Sequence, residues 1–297
     1  MERYCKEELI FYTGDQSAKR TLWVLVITLV VMLVEVAAGV MYNSVALLSD
    51  GVHMGTHAVA FGIGYLSYYL AKKWAHDKRF SFGVWKVEVL GAYTSAVILG
   101  VMALLVLQEA ILRLLKPESI AYRQAILVAL LGLLVNLLSA LLLGGHHQHD
   151  HVRRASYLHV LADSFTSVLA LVALTVGMKT GWWFLDPLAG VVGFFVIAMW
   201  SYDLIKETAF VLLDREMDNP LVQEVIKRIE DDQHSKVRDI HLLRLYHDRF
   251  ACIVSIDTYV QKDVDYYAQK LADIEEIAHT TFEIRVCSRE VFPESVL

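Results

Sequence analysis

The chain has 297 residues, of which 56% are hydrophobic, and its mean hydropathy is +0.45. Soluble domains are roughly 45–50% apolar even when glycine is counted, so the composition excludes a single soluble domain, a disordered protein and a fibrous one. The net charge of −6 comes entirely from residues 215–297, where 11 Lys and Arg face 17 Asp and Glu. An acidic tail behind a neutral body argues against nucleic acid as a partner. Three cysteines are too few for a disulfide scaffold.

Six apolar segments are long enough to cross a membrane as helices, because a hydrocarbon core of about 30 Å takes roughly 20 residues. They are Thr21–Met41, Ser44–Leu70, Val87–Leu112, Ala125–Leu143, Ala155–Val176 and Leu185–Leu212. Lys and Arg concentrate before the first segment, between the second and third, and between the fourth and fifth. The positive-inside rule therefore predicts a multi-pass protein of the inner or plasma membrane with both termini cytoplasmic. Arg113, Lys116 and Arg123, between the third and fourth segments, are an exception.

After Leu213 the long apolar runs give way to short alternating ones. The spacing predicts helices over Pro220–Asp231 and Val264–Thr280, and strands over Val237–Tyr246, Ala251–Val260 and Phe282–Val291. An α-β-β-α-β order favours a small two-layer domain with helices on one face of a sheet. The predicted fold class is an all-α six-helix transmembrane domain, residues 1–214, followed by a small α+β cytoplasmic domain, residues 215–297.

Two of the predicted membrane helices carry pairs of ionisable residues, which are costly in lipid and therefore indicate function. The second helix contains His53 and His57, and the fifth contains His159 and Asp163. The i, i+4 spacing places each pair on one helix face. At a rise of about 1.5 Å per residue, His57 and the pair in the fifth helix reach overlapping depths. Three imidazoles and one carboxylate are a ligand set that Zn²⁺ and similar borderline ions accept.

Other interpretations of these residues explain less of the pattern. Hydrogen bonding between helices accounts for either pair alone, but less well for two pairs at matching depth. A metalloprotease requires a general-base Glu where Met54 stands. A haem site requires histidines on separate helices at facing heights. Only His53 with His159 meets that condition, and it leaves Asp163 buried without a role.

Four motifs stand in order along nearly the whole chain. They are NSVALLSDGVHMGTH (Asn43–His57), FSFGVWK (Phe80–Lys86), HVLAD (His159–Asp163) and LLDR (Leu212–Arg215). Together they resemble the cation diffusion facilitator family of divalent-metal exporters. The resemblance implies a homodimeric antiporter, not an enzyme, that exports transition-metal cations in exchange for protons by alternating access. It implies that the transport site consists of His53, His57, His159 and Asp163.

The resemblance also indicates which metal ion the protein transports. His57 stands where many zinc exporters of the family carry Asp, and the segments around Phe80 and His159 resemble the cobalt/nickel exporter branch (DmeF-like). This favours Co²⁺ or Ni²⁺, with a zinc-selective exporter as the alternative. A membrane protein that senses or stores metal without moving it is the competing class. The expected partners are a second copy of the chain, membrane lipid, divalent metal ions and protons, and no cofactor is expected besides the cargo ion.

A histidine-rich tract precedes the fifth predicted helix. Short tracts of this kind commonly bind metal, so we expect this one to collect ions before they enter the site. Its histidines are His146, His147, His149 and His151. A solvated polar loop is the alternative.

Two further sets are implied by the resemblance. The metal site that some members carry in the cytoplasmic domain maps onto His241, Asp257 and Cys287, for which ordinary sheet residues are an equal interpretation. Lys86 and Asp214 match a pair that forms a charge interlock between the third helix and the exit of the sixth.

Overall fold

The computed structural model describes residues 15–41, 45–116, 122–143, 151–246 and 248–288. The chain divides into two compact units. One unit is helical and contains Tyr12–Arg79 and Val84–Ala209. The other contains the chain from Phe210 onward, together with the short segment Phe80–Gly83.

Long helices make up the helical part of the described chain. They are α1 (Asp15–Met41), α2 (Val45–Trp74), α3 (Trp85–Leu115), α4 (Tyr122–Leu143), α5 (His151–Thr180) and α6 (Leu185–Leu212). Four of them, α3 to α6, contain described stretches that are long and apolar enough to cross a membrane. The prediction of membrane helices is therefore confirmed for these four. The count of six spans stays a prediction.

The outer surface of the helices is apolar. Large aliphatic and aromatic side chains such as Leu131, Leu141 and Phe195 are exposed along α4 and α6. An apolar surface of this extent is unfavourable in water but matches the hydrocarbon of a bilayer. With its long apolar helices, the chain is an integral membrane protein.

Two apolar layers show how the helices run. The first layer is formed by Tyr68, Ala92, Ala96, Ala155 and Leu204, with Ala18, Leu158 and Ile205 packed against it. The second layer is formed by Val24, Phe61, Leu143 and Val160. From the first layer to the second, residue numbers rise along α1 and fall along α2, so these two helices run antiparallel. On α5 the two layers overlap, because Tyr157 packs against the second and Leu158 against the first, but the buried members rise from Ala155 to Val160. The helices α4 and α5 pack together and are joined by a short connection after Leu143, so α4 also runs antiparallel to α5.

The second unit has the predicted α-β-β-α-β order. Its elements are α7 (Pro220–Glu230), β1 (Ser235–Tyr246), β2 (Arg249–Thr258), α8 (Val264–Lys270) and β3 (Ile277–Val286). Strand β2 is central, pairing antiparallel with β1 and parallel with β3. A parallel pair needs a crossover connection, which α8 supplies. The core lies between the helices and one sheet face and includes Val225, Ile229, Cys252, Val254 and Tyr267.

The predicted helix over Val264–Thr280 is wrong in its second half. Helix α8 ends at Lys270, and β3 begins at Ile277, earlier than the predicted start at Phe282. Pairing explains the difference: Phe250 lies opposite Ile277 in the parallel ladder, and its backbone N–H donates to the carbonyl of Glu276 at 2.8 Å. This long-range ladder outweighs the local helical spacing.

Candidate metal centre

Helix α2 places one of the four predicted ligands in the interior of the helical unit. His57 is 6% exposed and lies one turn before Phe61 of the second apolar layer. A histidine buried among membrane helices is costly and is by default a functional residue. The structure therefore agrees with the burial expected of His57.

Helix α5 carries the other predicted pair. The backbone of His159 and Asp163 belongs to this helix, while their side chains and that of His53 lie outside the described part of the structure. Val160, next to His159, packs in the same layer as Phe61. Phe61, one turn from His57, and Val160, next to His159, therefore lie in one layer of the bundle. The distances between the four side chains stay a prediction.

Among the described side chains, no group of three or more His, Cys, Asp or Glu residues is placed to hold a metal ion. Of the predicted transport site only His57 is among those side chains, so this finding does not concern the set as a whole. His146, His147 and His149 also lie outside the described residues. The backbone of His151 begins α5, and its side chain is not described.

The set predicted in the second unit is not brought together within one chain. His241 pairs with Ile253 across the β1–β2 ladder, whereas Asp257 pairs with Lys236, about 16 Å further along β1 at about 3.3 Å per residue. The Nε2 atom of His241 lies 2.9 Å from the carboxylate of Asp239. The thiol of Cys287 contacts the carbonyl oxygen of Thr258 at 3.5 Å.

Lys86 and Asp214 lie in different units, in the first turn of α3 and just after α6. Their interlock stays a prediction. Asp214 has a role that the sequence did not suggest, because it adopts a left-handed conformation with a φ of 54°. Its N–H donates to the carbonyl of Val211 at 3.3 Å, and the N–H of Arg215 donates to that of Phe210 at 3.0 Å. This pair of bonds is the Schellman motif, which ends a helix.

Arg113, one of the three cations that depart from the positive-inside pattern, is neutralised locally. The guanidinium of Arg113 on α3 donates to Glu109 at 2.8 Å and to Asp186 at the start of α6 at 3.1 Å. At the other end of α6, the guanidinium of Arg154 donates to Glu207 at 2.5 Å. These ion pairs tie α6 to α3 and to α5. Sequence reasoning missed them because the partners are more than 50 residues apart.

Long apolar helices with a buried histidine, followed by a small α/β unit, define an integral membrane protein, and a buried ionisable residue is typical of membrane proteins that move ions. The chain belongs to the cation efflux family, because the model of the cation efflux transmembrane domain matches residues 21–213. This confirms the family resemblance read from the motifs.

Relatives extend over much of the chain. The metal cation efflux system protein CzcD of Cupriavidus metallidurans is 33% identical over 267 residues, covering 87% of this chain and 84% of the relative. The cadmium, cobalt and zinc/H(+)-K(+) antiporter of Bacillus subtilis is 30% identical over 214 residues, covering 71% of this chain and 68% of the relative. The zinc transporter ZitB of Yersinia pestis is 28% identical over 284 residues, covering 92% of this chain and 89% of the relative.

Proposed function

We propose that this protein exports divalent transition-metal cations from the cytoplasm in exchange for protons. The observation that carries the proposal is a buried histidine, His57, on a helix that packs against α5 within the matched cation efflux domain. The names of the relatives are consistent with it, since they specify cadmium, cobalt and zinc, and one specifies antiport with protons.

Helical periodicity supports His53, His57, His159 and Asp163 as the transport site. On α2, positions 53, 57 and 61 form an i, i+4 row in which His57 and Phe61 are buried. On α5, the matching row begins at the buried Ala155 and continues through positions 159 and 163. At about 1.5 Å per residue, position 57 lies about 6 Å and position 163 about 4.5 Å beyond the second apolar layer. The two rows therefore meet at one level.

The chemistry of imidazole links metal to protons. A histidine side chain must be neutral to bind a metal ion, and in an ordinary environment it titrates at about pH 6.5. Protons that reach the site from outside then compete with the cation for the same nitrogens. In this mechanism α2 and α5 shift together, so that the site opens to one side of the membrane at a time.

The proposed domain roles are those predicted from the sequence. Residues 1–214 form the transport domain, with a cytoplasmic N-terminus. Residues 215–297 form a cytoplasmic domain that dimerises and regulates. The histidine tract His146–His151 collects ions near the entrance, and the Lys86–Asp214 pair links the third helix to the exit of the sixth.

The ligand set also restricts the cargo. Three nitrogen ligands and one oxygen suit zinc, cobalt, nickel and copper better than Mg²⁺ or Ca²⁺, which prefer oxygen. Cobalt is supported both by the names of relatives and by the position of His57. Nickel rests on the branch resemblance alone, and a zinc-selective exporter is the second candidate.

Flux into sealed vesicles tests the proposal. Proteoliposomes carrying the full chain should accumulate Zn²⁺ or Co²⁺ only when a pH gradient is imposed, and Asp163→Asn should abolish this flux. The matched control is Asp203→Asn, which removes an exposed carboxylate from α6 and should leave flux unchanged. Metal binding without flux in the unaltered protein would identify a sensor or store. Normal flux in Asp163→Asn would refute the site.

A further inference from the structure

A buried polar layer lies one helical turn beyond the second apolar layer. Moving away from the first layer, one turn leads from Val24 to Thr28 on α1, from Phe61 to His57 on α2 and from Leu143 to Ser139 on α4. These three polar residues are only 2%, 6% and 1% exposed, respectively. On α5 the same step leads to positions 163 and 164. Two helices that carry none of the proposed ligands therefore supply hydroxyl groups at the level of the transport site.

The hydroxyl of Ser139, like that of Thr21 on α1, differs from several other hydroxyls of this bundle. The Oγ atoms of Ser164, Thr175 and Thr208 each donate to the carbonyl oxygen four residues earlier, at 2.6–2.8 Å. The Oγ atom of Ser139 is buried and has no hydrogen-bond partner within the described part of the chain. A buried hydroxyl without a bond is unfavourable, and serine in a helix ordinarily bonds to its own backbone instead. Ser139 thus keeps its capacity to donate and accept for another group in the layer.

We propose that Ser139 is a positioning residue for the transport site and that its Oγ accepts a hydrogen bond from the ring of His57 in the metal-bound state. The inference rests on the proposed function. An imidazole that binds a metal through one nitrogen donates its other N–H to an outer partner, and that bond fixes the tautomer and the orientation of the ring. A serine hydroxyl in the same layer supplies such an acceptor.

The alternative is that Ser139 is needed only as a small residue for close helix packing. Ser139→Ala separates the two, because it keeps the small size and removes the hydroxyl. If packing alone matters, metal affinity is unchanged. If Ser139 positions His57, the metal-free protein loses only an unbonded buried group and is no less stable, while metal affinity falls by roughly 10- to 100-fold.

The test is calorimetric titration of the purified full chain in detergent with Zn²⁺, paired with thermal unfolding in the absence of metal. Ser139→Ala and a second hydroxyl-free variant, Ser139→Gly, should both raise the Kd for Zn²⁺. For Ser139→Ala the Tm without metal should not fall. The matched control is Ser164→Ala, which removes a hydroxyl at the same level that already bonds to the carbonyl of Val160 and should leave the Kd unchanged.

Two results would overturn the role of Ser139. One is a normal Kd in Ser139→Ala, and the other is a weakened Kd accompanied by a lower metal-free Tm, which would assign the residue to packing. Titration of the His57→Ala variant with Zn²⁺ distinguishes failure of the role proposed for Ser139 from failure of the transport site. If His57→Ala binds Zn²⁺ as the unaltered protein does, the proposed function itself fails.

Discussion

At the scale of single residues, the proposed site makes the nitrogen atoms of His57 and its partners the groups that select the ion. The ring of His57 is buried, so a cation bound there would exchange its water shell for protein ligands. Nitrogen ligands favour the later transition metals, and a carboxylate in the same place would give a harder, more negative site. The identity of this one side chain should therefore shift the ranking of cobalt against zinc.

Replacing His57 by Asp tests this directly. We expect His57→Asp to raise the preference for Zn²⁺ over Co²⁺ in competition flux measured on proteoliposomes, because an oxygen ligand replaces a nitrogen. His241→Asp is the control, since His241 is exposed on the sheet of the second unit and should leave the ranking unchanged. If His57→Asp and the unaltered protein rank the two ions alike, selectivity is determined elsewhere.

At the scale of elements, α3 packs closely against its neighbours through small residues. A Cβ atom on Gly91 would lie 2.5 Å from the Oγ of Ser67 on α2, and one on Gly100 would lie 2.7 Å from the Oγ of Ser201 on α6. Ala92 and Ala96 are fully buried between these contacts. Small residues allow membrane helices to approach closely, so van der Waals contact holds α3 in place.

This packing predicts the effect of adding one methyl group. Gly91→Ala should destabilise the protein by about 1–3 kcal/mol, because Ser67 must move or the helices must separate. The measurement is thermal unfolding in detergent, and Ser67→Gly in the same protein should restore part of the loss. Gly132→Ala on α4 is the matched control, since a Cβ there meets nothing within 4 Å. Equal stability of Gly91→Ala and Gly132→Ala would contradict the close contact.

Long membrane helices were predictable from the sequence because lipid requires each backbone polar group to bond within its own helix. The segment predicted over Val87–Leu112 is observed as α3, with ends that differ by only two or three residues. The end of α8 was not predictable, because it depends on pairing between Phe250 and Ile277. These residues belong to different strands and are far apart in sequence. Local spacing contains no information about that ladder.

Some residues of the candidate site were likewise predictable from the sequence, and others were not. His57 was identifiable from the sequence because an ionisable residue is conspicuous in an apolar run. Ser139 was not, since serine is ordinary in such runs and only the folded structure shows that its hydroxyl makes no bond within the described chain. Asp214 was assigned a charge role, while its left-handed φ of 54° also gives it a backbone role. Asp tolerates this conformation better than most residues.

At the scale of the whole molecule, acid should act on the two units in separate pH ranges. As a general reference, an imidazole titrates at about pH 6.5 and a carboxyl group at about pH 4, so protons should compete for imidazole nitrogens at a higher pH than they titrate carboxylates. The second unit contains a carboxylate, Asp232, that accepts hydrogen bonds from the backbone of His234, from Ser235 and from the hydroxyl of Tyr266. Burial raises the pKa of Asp232, but these bonds and the charge of Lys270 outweigh it and lower the pKa below its ordinary value.

The direction in which stability changes with pH follows from the lowered pKa of Asp232. Stability contributed by Asp232 is present above the unfolded carboxyl pKa of about 3.9 and is lost as the pH falls through the lower folded value. Acid near neutrality should therefore leave this unit folded. The core of the unit is formed entirely by residues between Leu221 and Ile284, so a fragment of residues 215–297 is suitable for the measurement.

Urea unfolding of that fragment at pH values from 7 down to 3 tests the argument. We expect stability to hold to about pH 4 and to decline below it. Asp232→Asn should lower the free energy of unfolding at pH 7 by about 2 kcal/mol, because it weakens several charge-assisted hydrogen bonds. It should also flatten the decline at low pH, since the titrating group is gone. Glu275→Gln removes an exposed carboxylate before β3 and should keep the pH dependence of the unaltered fragment. An Asp232→Asn fragment that keeps that same dependence would show that the acid sensitivity originates in other carboxylates.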